Sequence, residues 1–183
     1  MSSTEGVVFP EQIELRAAVI KATYMSSVGI RKLPTIMEES LAVRIRQDAN
    51  EYGATTRRPR GIAYLDLPAI KFFSQVGQAN CLVLTHMDIV YPKVPVKICA
   101  SYEIGGKEVT YRPDQEFLNK ITPKFIEVPT WDKEKISQAK KPEDIPVEAK
   151  NFLALLTRKI GLPILMITTG PRREQGIILK ENL

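Results

Sequence analysis

Histidine is almost missing from this 183-residue chain: His86 stands alone, so an acid–base scheme that needs two imidazoles must draw the second from elsewhere. Cysteine is nearly as scarce. Cys81 and Cys99 each sit in an apolar run, where a small buried thiol is expected rather than a disulfide or a metal ligand, and a reducing compartment with it. The chain contains no Gly-x-x-x-x-Gly-Lys-Ser/Thr run, no glycine-rich cradle opening a helix and no metal-ligand spacing, so neither a metal site nor a phosphate loop is expected within it. No apolar run approaches the roughly 20 residues that cross a bilayer, and the opening Met-Ser-Ser-Thr-Glu-Gly lacks the basic and apolar stretches of a secretory signal. A cytoplasmic protein with no membrane partner is the expectation.

What is present is an ordinary globular composition, 44% hydrophobic, with 26 basic residues against 21 acidic ones and a formal charge of +5. One domain spanning residues 1–183 is expected. The excess of positive charge favours anionic partners, but it forms no tail or stripe, and aromatics are only 7%. Nucleic acid, which is held by basic stripes interleaved with stacking rings, is therefore not an expected partner.

Patterning predicts alternating strands and helices. Ile13, Ala17, Ile20 and Tyr24 recur at helical spacing over residues 10–24, and Met37, Leu41, Ile45 and Ala49 do so in a second helix that Gly53 could close. Asp66-Leu67-Pro68 reads as the start of a third helix, running to Gly77, and Cys81 to Thr85 as a buried strand. Val94 to Ile104 and Lys107 to Arg112 flank Gly105-Gly106, the pattern of a β-hairpin. A helix from Pro146 to Gly161 precedes a strand from Pro163 to Ile167, and a last strand covers Ile177 to Leu179. Segments 113–124 and 129–145, rich in proline and lysine, read as surface loops. Together these elements predict an α/β fold: a mixed, largely parallel sheet flanked by helices, with a β-hairpin. Ligands of such sheets gather beyond the carboxyl ends of strands.

Three segments could carry chemistry. Gly53-Ala54-Thr55-Thr56-Arg57-Arg58-Pro59-Arg60 places three guanidinium forks beside two hydroxyls, a set of donors for carboxylate or phosphate; its alternative is a solvated basic loop. Leu84-Thr85-His86-Met87-Asp88 follows an apolar strand. A carboxylate there can accept both N1–H and N2–H of guanine, donors that adenine does not offer in that arrangement, or it can merely cap a turn. Thr168-Thr169-Gly170-Pro171 follows another strand, where small residues let backbone amides approach a flat base, or form a plain turn.

In order and spacing, these segments resemble the C-terminal part of the adenylosuccinate synthetase family. Ser2-Ser3-Thr4, Val19-Ile20-Lys21-Ala22, Val28-Gly29, Gly53-Ala54-Thr55-Thr56 with Arg58 and Arg60, Leu65-Asp66, Thr85 with Asp88, Val96-Lys97-Ile98-Cys99, Pro129 with Trp131, Ala149-Lys150-Asn151-Phe152 and Thr168-Thr169-Gly170-Pro171 each resemble a family segment. The resemblance implies a partial version of that fold and a ligase that joins aspartate to inosine monophosphate, with GTP as co-substrate, in AMP biosynthesis. It implies that Thr55, Thr56, Arg58 and Arg60 bind aspartate, with Arg60 lying towards the nucleotides, and that Val28 touches the inosine monophosphate ribose. It implies that His86, Asp88, Thr168, Thr169 and Gly170 form the guanine site. The family's phosphate loop, general-base aspartate, catalytic histidine and most Mg contacts precede the matched region. Hence no catalytic residue is assigned here, and an N-terminal partner chain and a homo-oligomer are expected. Three departures stand out: Arg57 occupies a glycine of the loop, Ser27 an arginine, and His86 a position usually held by lysine. The alternatives are a purine-nucleotide-binding regulatory module without chemistry, or a relative acting on another purine monophosphate.

Overall fold

The structure, a computed structural model, describes residues 13–29 and 33–179. Its strands divide between two sheets. In the first, β1 (Ala17–Lys21), β4 (Cys81–Thr85) and β8 (Ile164–Thr168) run parallel, and β9 (Gly176–Ile178) adds antiparallel to β8, giving the order β1-β4-β8-β9. The second is built on β5 (Val96–Ile104). It pairs antiparallel with β7 (Thr122–Val128) along its length and with β6 (Lys107–Val109) at its end, and parallel with β3 (Gly61–Asp66), to which β2 (Tyr24–Ser27) adds antiparallel. The expected α/β class and the flanking helices are present.

Local sequence accounts for most boundaries. Asp66 accepts a hydrogen bond from the Ala69 amide at 3.1 Å and caps α2 (Leu67–Val76), with Pro68 in the first turn where its missing N–H costs nothing. Helix α5 (Val147–Ile160) ends on Gly161, whose left-handed φ of 86° suits a residue without Cβ. Gly105 and Gly106 both take positive φ, 57° and 78°, the requirement of a tight turn whose twist matches the β5–β6 hairpin.

Residues 17–24, expected within a helix over 10–24, instead form β1 and the start of β2; residues 10–12 of that expectation lie outside the described residues. In β1, Ala18 and Ile20 pack against the core while Val19 is 65% exposed, so the burial period is two, not 3.6. The β-branched pair Val19-Ile20 and the ladder to β4 override a coincidental helical spacing. Helix α1 (Glu39–Asp48) stops at Ala49, and Gly53 instead opens the next loop by donating its amide to the Arg58 carbonyl at 2.8 Å. The segments expected as loops contain α3 (Gln115–Leu118), the first three residues of β7 and α4 (Lys133–Gln138); Asp114 and Asp132 cap the two helices.

The main core lies between the first sheet and helices α2 and α5, where Leu82, Leu84, Ile167, Phe152 and Leu156 are fully or almost fully buried. The Trp131 ring packs on Phe152 at 4.9 Å, and its Nε1 donates to the Met87 carbonyl at 2.8 Å. A second cluster under α1 gathers Tyr24, Ile45, Ile62 and Tyr64. Both cysteines are buried free thiols.

Phe152→Ala is expected to destabilise the protein by about 3–5 kcal/mol, seen as a lower midpoint in urea unfolding. A loss under about 1 kcal/mol would show that the Trp131–Phe152 cluster is not the centre of the core.

Candidate functional site at the strand ends

The parallel register of the first sheet brings three carboxyl ends level. Lys21 is paired with Thr85, and Leu84 with Ile167, one residue before Thr168. Beyond them, the His86 amide donates to Thr168 Oγ1 at 3.3 Å, and the Met87 amide to the Thr168 carbonyl at 3.0 Å. Thr169 is fully buried and donates both its amide and its hydroxyl to the Gln175 carbonyl. The amide end of the Gln175 side chain lies against Gly170, in the space a Cβ there would take. The sequence-predicted residues His86, Asp88, Thr168, Thr169 and Gly170 are therefore one cluster, at the edge where the strand rule places ligands.

A buried carboxylate links this edge to the arginine loop. Glu51, 2% exposed, accepts from Lys21 Nζ at 2.9 Å and the Tyr24 hydroxyl at 2.7 Å on one oxygen, and from Arg60 Nη1 at 2.8 Å on the other. Lys21 also reaches Ser26 Oγ at 2.6 Å. The Tyr24 ring meets His86 edge-on at 5.9 Å. The loop itself is pinned at its base: Tyr52 bridges Pro59, the Arg57 amide donates to the Gly53 carbonyl and the Arg60 amide to the Glu51 carbonyl. Arg46 adds a bond to the Arg60 carbonyl at 3.2 Å. Above this base Thr55, Thr56, Arg57 and Arg58 are exposed. Arg57 takes φ of 54°, a left-handed conformation that costs a side-chain residue roughly 1–2 kcal/mol, which accounts for glycine at this point of the loop the sequence resembles. His86, with φ of 61°, is held the same way.

The electrostatics follow from this packing. Burial lowers the His86 imidazole below its ordinary 6.5, aided by Lys21 and opposed by Asp88 and Glu51. Burial works to raise Glu51, but the bonds from Lys21, Tyr24 and Arg60 outweigh it and hold the carboxyl below its ordinary value. Two cations around one buried carboxylate leave a net positive charge. Asp88 Oδ1 is buried without a hydrogen-bond partner, as are Arg60 Nε and Thr130 Oγ1. Orphaned buried atoms are rare, and each wants a partner.

The structure ties Arg60 into the strand-end network and leaves Thr55, Thr56 and Arg58 on the loop's outer part. Val28 is 79% exposed at the end of β2. Sequence reasoning missed Tyr24 and Glu51 as site residues and quoted Lys21 only inside a motif. Reading residues 17–21 as a strand would have found Lys21, which ends its strand as Thr85 and Thr168 end theirs. Among the described residues no three His, Cys, Asp or Glu side chains converge on one point, and no helix is long and apolar enough to cross a membrane.

Parallel strands with polar turns at their carboxyl ends, joined to a basic loop, define an α/β protein whose polar and basic groups meet at one sheet edge. The adenylosuccinate synthetase family model matches residues 2–177, and the chain belongs to that family. It is 35% identical over 173 residues to the adenylosuccinate synthetase of Limosilactobacillus reuteri, covering 94% of this chain and 40% of that protein. With the synthetase of Lactobacillus helveticus it shares 36% identity over 158 residues, 86% of this chain and 37% of that one. The fold matches a fully ligated adenylosuccinate synthetase from Plasmodium falciparum with a TM-score of 0.88 at 24% identity, over 94% of this chain and 42% of the other. The chain thus spans about 40% of the length of the relatives it matches.

Because His86 binds its proton less tightly when folded than when unfolded, it contributes stability that is present above pH 6.5 and lost as pH falls through its folded value. His86→Gln is expected to flatten that loss, measured as urea midpoints from about pH 8 to about pH 5. An unchanged pH slope would mean that the imidazole is not buried against Tyr24.

Proposed function

We propose that this chain is the C-terminal portion of an adenylosuccinate synthetase-type ligase, supplying guanine recognition and the aspartate-binding loop for GTP-dependent joining of aspartate to inosine monophosphate. The observation that carries the reading is Asp88: a carboxylate oxygen buried without a partner beside the Thr168–Gly170 turn. Guanine offers N1–H and N2–H as two parallel donors, which satisfy such a carboxylate, whereas adenine presents an acceptor at N1. His86 stays mostly neutral at pH 7 and lends no fixed charge to the nucleotide.

At the other end of the network, Arg58, Thr55 and Thr56 are exposed donors suited to the two carboxylates of aspartate, and Arg60 faces both loop and nucleotide. Val28 lies against the inosine monophosphate ribose in this reading. In this reading the chain contributes ligand binding and orientation, while the phosphate cradle and the Mg contacts come from the part of the family's fold that it does not span.

Calorimetry with GDP and ADP tests base reading. The protein is expected to prefer GDP, and Asp88→Ala to weaken GDP by about 10–100-fold, the worth of hydrogen bonds to a charged group; equal affinity for both nucleotides sinks the guanine assignment. Phosphate release from GTP with inosine monophosphate and aspartate is expected only when an N-terminal synthetase polypeptide is added. Turnover by the chain alone would overturn the division of labour. Binding that never supports turnover would instead favour a regulatory purine-nucleotide module.

A further inference from the structure

We infer that Glu51 is a positioning residue, whose buried carboxylate aims Arg60 and thereby sets the anion affinity of the strand-end site; this rests on the nucleotide reading above. Glu51 touches no ligand in that reading. Its three partners come from three parts of the chain: Lys21 from the end of β1, Tyr24 from the start of β2, and Arg60 from the foot of the arginine loop. No other carboxylate forms an ion pair with either Lys21 or Arg60 among the described residues.

The geometry is that of an aimed fork. Arg60 gives Nη1 to Glu51, and its main chain is held at both ends, the amide by the Glu51 carbonyl and the carbonyl by Arg46. Its Nε is buried with no partner. A guanidinium fixed in this way keeps donors available in one direction rather than sweeping solvent, so less orientational freedom is lost when an anion arrives. Through Tyr24, which donates to the same Glu51 oxygen as Lys21 and packs edge-on against His86, the carboxylate also joins the arginine loop to the base-reading loop.

Charge and position make opposite predictions, which makes the idea testable. Glu51 is a negative group beside an anion site. If it mattered only as charge, removing it would draw an anion in more tightly. If it aims Arg60, removing it weakens the anion despite the more favourable field. Glu51→Gln keeps the shape and removes the charge. It is expected to weaken both GDP and ADP by about 10-fold or more and to leave their ratio unchanged, because Asp88 reads the base separately. General damage to the site would drive that ratio towards one.

The experiment pairs calorimetry of GDP and ADP with nitrogen-15 NMR of the Arg60 Nε–H signal in the whole chain, assigned through Arg60→Lys. The wild-type signal is expected to exchange slowly with water and to lose that protection in Glu51→Gln. Affinity equal to or tighter than wild type in Glu51→Gln, or an Arg60 signal that stays protected, overturns the inference. A wild-type chain that binds neither nucleotide, yet loses Arg60 protection in Glu51→Gln, removes the nucleotide reading and leaves the positioning role standing. Glu51→Asp retains the charge but withdraws it by one methylene, and serves if the Gln variant does not fold. Intermediate affinity and protection support aiming, and values equal to wild type overturn it.

Discussion

The hydrogen-bonded ladders that hold β1, β4 and β8 in parallel decide where everything else in the site can be. Because the three strands point the same way, their carboxyl ends stop at one level, and the residues that follow, Lys21, His86 to Asp88 and Thr168 to Gly170, are delivered to a single edge. An antiparallel strand in the middle would have sent one of these turns to the opposite end of the sheet. β9 does run antiparallel, but it sits outside β8, where it supplies no turn between the three.

Placing a carboxylate beneath that edge solves a charge problem created by the edge itself. Lys21 and Arg60 approach from different segments and would repel each other without Glu51 between them. Glu51 is buried, so its attraction for both is less screened than at the surface, and its two oxygens are shared among three donors with none left unmet. The result is a carboxylate whose bonds are all met, while Asp88 Oδ1 and Arg60 Nε are buried without a partner.

Much of the fold was legible in local chemistry. The Asp66 cap, Pro68, Gly77 and Gly161 marked α2 and α5 to within a residue, and Gly105-Gly106 marked the hairpin, because each signal acts within a few positions. Residues 17–21 have an apolar spacing that fits both periods; what chose the strand over the helix expected at 10–24 was pairing with β4, some sixty residues away. The start of β7 and the short helices α3 and α4 hid in segments whose lysines and prolines suggested loops, though Asp114 and Asp132 were legible caps. Of the site, the turns after β4 and β8 could be found because they follow apolar runs. Glu51 could not: a single carboxylate before a loop has no pattern, and its importance comes from three partners that only folding brings together.

The ladder has a further consequence, in time rather than in space. Ala17 pairs with Cys81, Leu82 with Ile164, and the His86 amide with Thr168. Contacts this distant along the chain close late, after the entropy of the long intervening loops has been overcome. On the ribosome, the hairpin of β5 and β6 and the cap of α2 can form from what has already emerged, but the strand-end edge has no shape until β8 is free. The polypeptide must therefore be made through β8 before that edge takes shape.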